Sequence, residues 1–122
     1  MKKKVMVVDD SRILQMQIGK ILSGTDYEVA CYCQSGEEAV EKYGEVKPDV
    51  VTMDIIMPGM DGLEATRKIL EKDSEATIIM VSSLAYDDTL EEAKRIGARG
   101  FIGKPFERQQ VLGALEEVLA ET

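Results

Sequence analysis

The sequence predicts an α/β domain: five parallel strands with helices packed on both faces. Three observations point there. Short apolar runs alternate with amphipathic helical patterns along all 122 residues. The runs are continuous, as expected of strands buried on both sides. Each connection is long enough for the crossover helix that parallel neighbours require. Right-handed crossovers leave few topologies, and the flavodoxin-like (βα)5 doubly wound sheet, order 2-1-3-4-5, is the commonest five-strand solution.

Lys4–Val8 carries Val-Met-Val-Val, a first strand. Ser11–Leu22 places Leu14, Ile18, Ile21 and Leu22 on one helical face, and Gly24 follows as a stop. Tyr27–Cys33 is β-branched and aromatic enough for a second strand. Ser35 and Glu38 have capping-box spacing and open a helix to Tyr43. Pro48-Asp49 breaks the pattern, and Val50–Met53 is a third strand. The turn cluster from Pro58 to Gly62 precedes a helix that begins near Asp61, with Glu64 in its first turn, and runs to about Lys72. Ala76–Val81 is a fourth strand, Asp87–Ile96 a helix ended by Gly97, and Gly100–Ile102 a very short fifth strand. Glu107–Ala120 closes the pattern with Val111, Leu115 and Val118 on one face. No repeat or linker divides the chain, so one domain is expected over residues 1–122.

Composition excludes several functions. A chain of this length buries roughly two-thirds of its unfolded surface and needs no metal or disulfide to fold. Lys+Arg is 15 against 23 Asp+Glu, a net charge of −8 that repels a phosphate backbone, so no nucleic-acid partner is expected. No apolar run reaches the ~18 residues of a membrane span, and none suits a signal peptide, so a cytoplasmic protein is expected. Cys31 and Cys33 are too few to close a structural zinc site and poorly spaced for a disulfide on a strand; they read as packing residues. The absence of histidine removes every His-dependent triad.

Strands of a parallel sheet end on one edge, and ligands bind beyond that edge where the strand order reverses. Asp9 and Asp10 follow strand 1, Asp54 follows strand 3, Ser82 and Ser83 follow strand 4, and Lys104 lies two residues beyond strand 5. Three carboxylates, a hydroxyl and an ammonium should therefore meet at one rim. A single Asp after a strand is usually a cap or turn residue, and Asp10 could be only that. Lys104 could be only solvated, although a Lys-Pro pair at a sheet edge suits a cis bond that aims the side chain. Packing does not need such a concentration of charge. At an effective dielectric near 20, one carboxylate pair at 4 Å costs about 4 kcal/mol, which a proton or a cation must relieve. Oxygen ligands without His or Cys suit a hard cation such as Mg²⁺. A carboxylate can also act as a nucleophile and form an acyl phosphate, and phosphoryl transfer mainly needs positioning and charge neutralisation.

The motifs VMVVDDSR at Val5–Arg12, VVTMDIIMPGMDGLEA at Val50–Ala65, IIMVSS at Ile78–Ser83 and GFIGKPF at Gly100–Phe106 together resemble the receiver domain of two-component response regulators. The resemblance covers residues 4 to 120 and is to a stand-alone, CheY-like receiver. It implies that Asp54 accepts the phosphoryl group, and that Mg²⁺ is held directly by Asp10, mainly through water by Asp9, and by the Ile56 backbone carbonyl. It further implies that Ser82 and Lys104 bind the phosphoryl oxygens and that Phe101 occupies the aromatic switch position. Two departures stand out. Many relatives carry Thr where this chain has Ser82, and Tyr where it has Phe101, so a buried Phe101 cannot hydrogen-bond. Ordinary core packing is the other reading of Phe101.

The implied mechanism is a phosphorylation switch rather than a conventional enzyme. A sensor histidine kinase would supply the phosphohistidine, and a phosphatase is a further expected partner. The helix 4–strand 5–helix 5 surface would change affinity for a target, with a flagellar-motor switch protein in chemotaxis as the first expectation and a phosphorelay intermediate as the alternative. Lys94, Arg95 and Arg99 on that surface read equally as a solvated face. Ile56 and Leu84 would flank the path of an attacking water without assisting it, so slow loss of phosphate is expected. A monomer is expected. The competing readings are a phosphorylation-independent interaction module, an FMN carrier and a small-substrate phosphatase. Asp9 and Asp10 would repel a flavin phosphate, and neither a second general acid nor a substrate pocket is evident for a phosphatase.

Overall fold

The computed structural model describes residues 2–83 and 87–120. Leu84, expected beside an attacking water, lies outside the described residues. The elements follow as β1 Lys3–Val8, α1 Arg12–Leu22, β2 Tyr27–Cys33, α2 Gly36–Val46, β3 Val50–Asp54, α3 Gly62–Lys72, β4 Ile78–Ser82, α4 Asp87–Ile96, β5 Gly100–Gly103 and α5 Arg108–Ala120. The strands pair in parallel in the order β2-β1-β3-β4-β5, the expected topology.

The helices begin where side chains satisfy their first amides. Ser35 Oγ accepts from Glu38 N at 3.1 Å, and Asp61 Oδ1 accepts from Glu64 N at 2.9 Å. The expected capping box at α2 closes one residue early: Glu38 Oε1 accepts from Gln34 N at 2.7 Å. Helix α2 also runs three residues past Tyr43, and ends on Lys47 in the left-handed region at φ 49°. Gly44 within it faces solvent and does not stop the helix. Strand β4 begins at Ile78, two residues later than expected, although Thr77 already accepts from Val51 N at 2.9 Å.

Two apolar layers hold the sheet. On one face Met6, Val8, Val51, Met53, Ile78 and Met80 pack with Ala39 and Tyr43 of α2, Ala65 and Ile69 of α3 and Ala93 of α4. On the other, Val5, Val7, Val50, Ile79, Val81 and Ile102 pack with Ile18 and Leu22 of α1 and Val111, Leu115 and Val118 of α5. The expected core face of α5 is thus buried in full. Strand β2 contains an irregularity: Val5 pairs with Val29 but Met6 pairs with Cys31, which leaves Ala30 as an extra residue. The bulge exchanges the faces of the strand. Tyr27 and Val29 pack towards α1 and α5, whereas Cys31 and Cys33 pack towards the opposite layer.

Candidate functional site

The carboxyl ends of β1, β3 and β5 bring the charged residues together. Asp9 follows β1 and is buried, and its amide donates to Cys33 O at the end of β2 (3.0 Å). Its Oδ1 accepts from Ser11 N at 2.9 Å, which turns the chain into α1. The cap of α1 is Ser11, whose Oγ accepts from Leu14 N at 3.4 Å. Asp10 is therefore not spent as a helix cap. It is exposed, and among the described residues its carboxylate takes no hydrogen bond or ion pair.

Asp54 is the last residue of β3, rather than the first after it, and is buried. The chain beyond it is pinned by Ile55 N donating to Val81 O (3.2 Å) and Gly62 N donating to Ile55 O (2.7 Å). Ser82, likewise, is the last residue of β4 and is buried. Its carbonyl accepts from Lys104 N at 2.9 Å, so the serine and the lysine are locked together through the backbone. Lys104 lies one residue beyond β5, and the bond to Pro105 is cis, as the dipeptide suggested. Its Nζ stands 3.2 Å from Asp9 Oδ2 and 3.3 Å from Asp54 Oδ1.

Asp9, Asp10 and Asp54 each offer an oxygen within 4.8 Å of the others. One ammonium faces three carboxylates, which leaves two negative charges in excess. Burial first, and then the neighbouring Asp9, raise the Asp54 carboxyl to about 6, while Lys104 pulls it down. The donors are all oxygen, one acid is unpartnered, and the excess charge equals that of a divalent ion. These residues fit a hard cation such as Mg²⁺. Ile56 lies in the turn past Asp54, with its side chain exposed, and no hydrogen bond ends on its carbonyl among the described residues.

Phe101 is half-buried against the α2–α3–α4 layer. It lines a cleft of about 90 Å³ with Leu90, Ala93, Lys94, Ala98 and Arg99. Of the basic residues on this side, Arg95 is paired with Glu92, which also meets Arg67 of α3. Cys31 and Cys33 are free thiols with sulfurs 3.9 Å apart, and burial pushes the Cys33 thiol up, in keeping with packing residues.

Two residues at this edge escaped sequence reasoning. Gln15 is buried, and its Nε2 donates to both Asp9 O (2.7 Å) and Cys33 O (3.2 Å). The available signal was a polar residue set among Leu14, Ile18 and Leu22 on the apolar face. Gly62 opens α3 where a Cβ would stand 2.1 Å from Asp54 O. A glycine at a helix start after an Asp cap was its only trace.

A family model for the response regulator receiver domain matches residues 5–116. The chain is 46% identical over 114 residues to the chemotaxis protein CheY of Listeria monocytogenes, covering 93% of this chain and 96% of that protein. It is 44% identical over 118 residues to CheY of Thermotoga maritima, covering 97% and 98%. Among solved structures it is similar to one of a CheX–CheY–BeF3–Mg²⁺ complex from Borrelia burgdorferi, with a TM-score of 0.92 and 36% identity over 95% of this chain and 88% of that one. Among the described residues no helix is long and apolar enough to cross a membrane. With the sheet order, the acidic edge and likeness to CheY proteins over almost its full length in agreement, this chain belongs to the response regulator receiver domain family.

Proposed function

We propose that this protein is a phosphorylation switch of the chemotaxis type in which Asp54 accepts a phosphoryl group from the phosphohistidine of a sensor histidine kinase. The observation that carries the reading is the Asp54 carboxylate, buried at the sheet edge beside Asp9 and sharing the Lys104 ammonium with it. With its carboxyl near 6, Asp54 is ionised at neutral pH and available as a nucleophile.

One Asp54 carboxylate oxygen attacks the phosphorus. The phosphorus–nitrogen bond to the donor imidazole breaks, and that nitrogen leaves with the electron pair and takes up a proton. The product is an aspartyl phosphate, whose roughly two negative charges replace the single charge of the carboxylate. Asp9, Asp10, Asp54 and the Ile56 carbonyl are the residues that would hold Mg²⁺, which supplies charge neutralisation at the phosphoryl oxygens. The Lys104 ammonium turns from Asp54 to a phosphoryl oxygen, and the Ser82 hydroxyl donates to another. As Ser82 shifts, Phe101 moves into the released volume, and the α4–β5–α5 surface changes its affinity for a target. Ile56 offers an attacking water no proton acceptor, which favours a long-lived phosphoprotein. The expected partners are the kinase, a phosphatase and a downstream target such as a flagellar-motor switch protein, with this chain acting as a monomer. CheY relatives favour the chemotaxis setting, and the Borrelia complex, which contains BeF3, Mg²⁺ and a second protein, favours a Mg²⁺-dependent phosphoryl site with a protein partner.

Acetyl phosphate with Mg²⁺, followed by mass spectrometry of the intact chain and its peptides, tests the reading. One phosphoryl group is expected on the Asp54 peptide, dependent on Mg²⁺ and absent from Asp54→Asn. Phosphate on that peptide in Asp54→Asn, or uptake indifferent to Mg²⁺, would overturn it.

A further inference from the structure

Asp10 raises a question of aim. Among the described residues its carboxylate has no partner that holds it, yet one of its oxygens lies within 4.8 Å of those of two other acids. Repulsion alone would swing an exposed side chain away. What keeps it there must act through the backbone, and the chain at Asp9 is held from two sides, by its N–H on the strand side and by its carbonyl on the helix side. On the strand side, Asp9 N donates to Cys33 O. On the helix side, Gln15 Nε2 donates to Asp9 O at 2.7 Å and to Cys33 O at 3.2 Å.

Asp9 O is the carbonyl of the Asp9–Asp10 peptide bond. A hydrogen bond to it opposes rotation of that peptide plane, and hence of the Asp10 Cα–Cβ direction. Both groups facing the Gln15 amide are carbonyls, so its nitrogen, with two hydrogens, must be the atom that meets them. Helical side chains lean towards the helix N-terminus, so a residue one turn into α1 is placed to reach back over the strand ends. Gln15 is buried beside Ile18 and Leu22, where an unpartnered amide would be costly and where packing alone would take an apolar side chain.

We infer that Gln15 is a positioning residue for the cation site: by clamping the Asp9–Asp10 peptide to the end of β2, it holds the Asp10 carboxylate in place beside Asp9 and Asp54. The inference rests on the proposed Mg²⁺-dependent reading of the same site. Removing the clamp lets the peptide plane turn and Asp10 drift towards solvent, at a cost in cation affinity rather than in the number of ligands.

Calorimetric titration of MgCl₂ into the metal-free full chain tests this, with folding followed by circular dichroism and thermal unfolding in EDTA. The variants are Gln15→Leu and Gln15→Met, which keep the bulk and lose the amide, together with Asp10→Asn and the double variant Gln15→Leu/Asp10→Asn. Folded Gln15→Leu and Gln15→Met should bind Mg²⁺ about tenfold more weakly, the scale at which partners behind a metal ligand act. The Gln15→Leu penalty should vanish in the Asp10→Asn background, because the clamp works through Asp10. A merely structural strut would lower the unfolding temperature and leave the affinity of the folded protein alone. An unchanged affinity in both Gln15 variants, an equal penalty with and without Asp10, or failure of both variants to fold overturns the inference and leaves the phosphorylation reading standing. A wild-type protein with no Mg²⁺ signal overturns that reading, and this inference with it.

Discussion

The Lys104 ammonium is held 3.3 Å from Oδ1 of Asp54 by a backbone bond to Ser82, and the same nitrogen reaches Oδ2 of Asp9 at 3.2 Å. One cation thus serves two buried acids. Its pull is what keeps the Asp54 carboxyl from rising further than about 6. Lys104→Met should therefore move the Asp54 titration upward. Carbonyl-detected NMR of the Asp54 carboxyl in metal-free protein reads this directly. An unmoved titration would mean that the ammonium does not stabilise the ionised form.

The raised carboxyl of Asp54 has a consequence for stability. An acid near 3.8 when unfolded and about 6 when folded holds its proton more tightly in the native state. Native stability therefore falls as pH rises from about 4 to about 6 and stays lower above that range. Asp54→Asn removes the penalty. In EDTA at pH 8 the variant should be more stable than the wild type by on the order of 1–3 kcal/mol. The difference should shrink as pH falls through the same window and be nearly absent below it. Urea unfolding at several pH values measures it, and a gain that persists undiminished in acid would contradict the account.

The sheet and the acidic edge were legible for a shared physical reason. Strands buried on both faces must be continuously apolar, as Val5–Val8 and Ile78–Val81 are, so polar residues mark where they end. Asp9, Asp54, Ser82 and Lys104 fall at or just past those ends, so the sequence alone groups them. What was hidden depends on approach across the chain. The bulge at Ala30 leaves the i, i+2 pattern of Tyr27–Cys33 intact while exchanging its faces, so pattern alone cannot reveal it. The two bonds of Gln15 reach Asp9 and Cys33, and Cys33 is eighteen positions distant. Helix α2 outruns its expected end because Lys47 adopts a left-handed cap that its side chain does not announce.

Thr52 presents a different cost. Its register partners are Val7 and Ile79, and its Oγ1 is buried with no hydrogen-bond partner among the described residues. A buried hydroxyl left unpaired forfeits its hydration without return. Replacing it with a methyl group of similar shape should help. Thr52→Val is expected to stabilise the protein by about 1 kcal/mol in urea unfolding. Destabilisation would show that the hydroxyl has a partner after all.

Gly62 and Gly113 both sit in helices, and helix propensity alone favours alanine over glycine by up to about 1 kcal/mol in a helix interior. Their surroundings separate them. A Cβ on Gly113 meets nothing within 4 Å, so Gly113→Ala should stabilise by roughly 0.5–1 kcal/mol. A Cβ on Gly62 would stand 2.1 Å from Asp54 O and 2.8 Å from Ile55 Cα. Both are backbone atoms at the end of a central strand, so no side chain can rotate aside, and relief requires α3 or the Asp54 peptide to shift. Gly62→Ala should cost about 2 kcal/mol or more, in the range of overpacked cores. It should also displace Asp54 from Lys104, with a changed Asp54 carboxyl titration as the sign. If the two variants respond alike in urea unfolding, the approach of α3 to the end of β3 does not constrain the site.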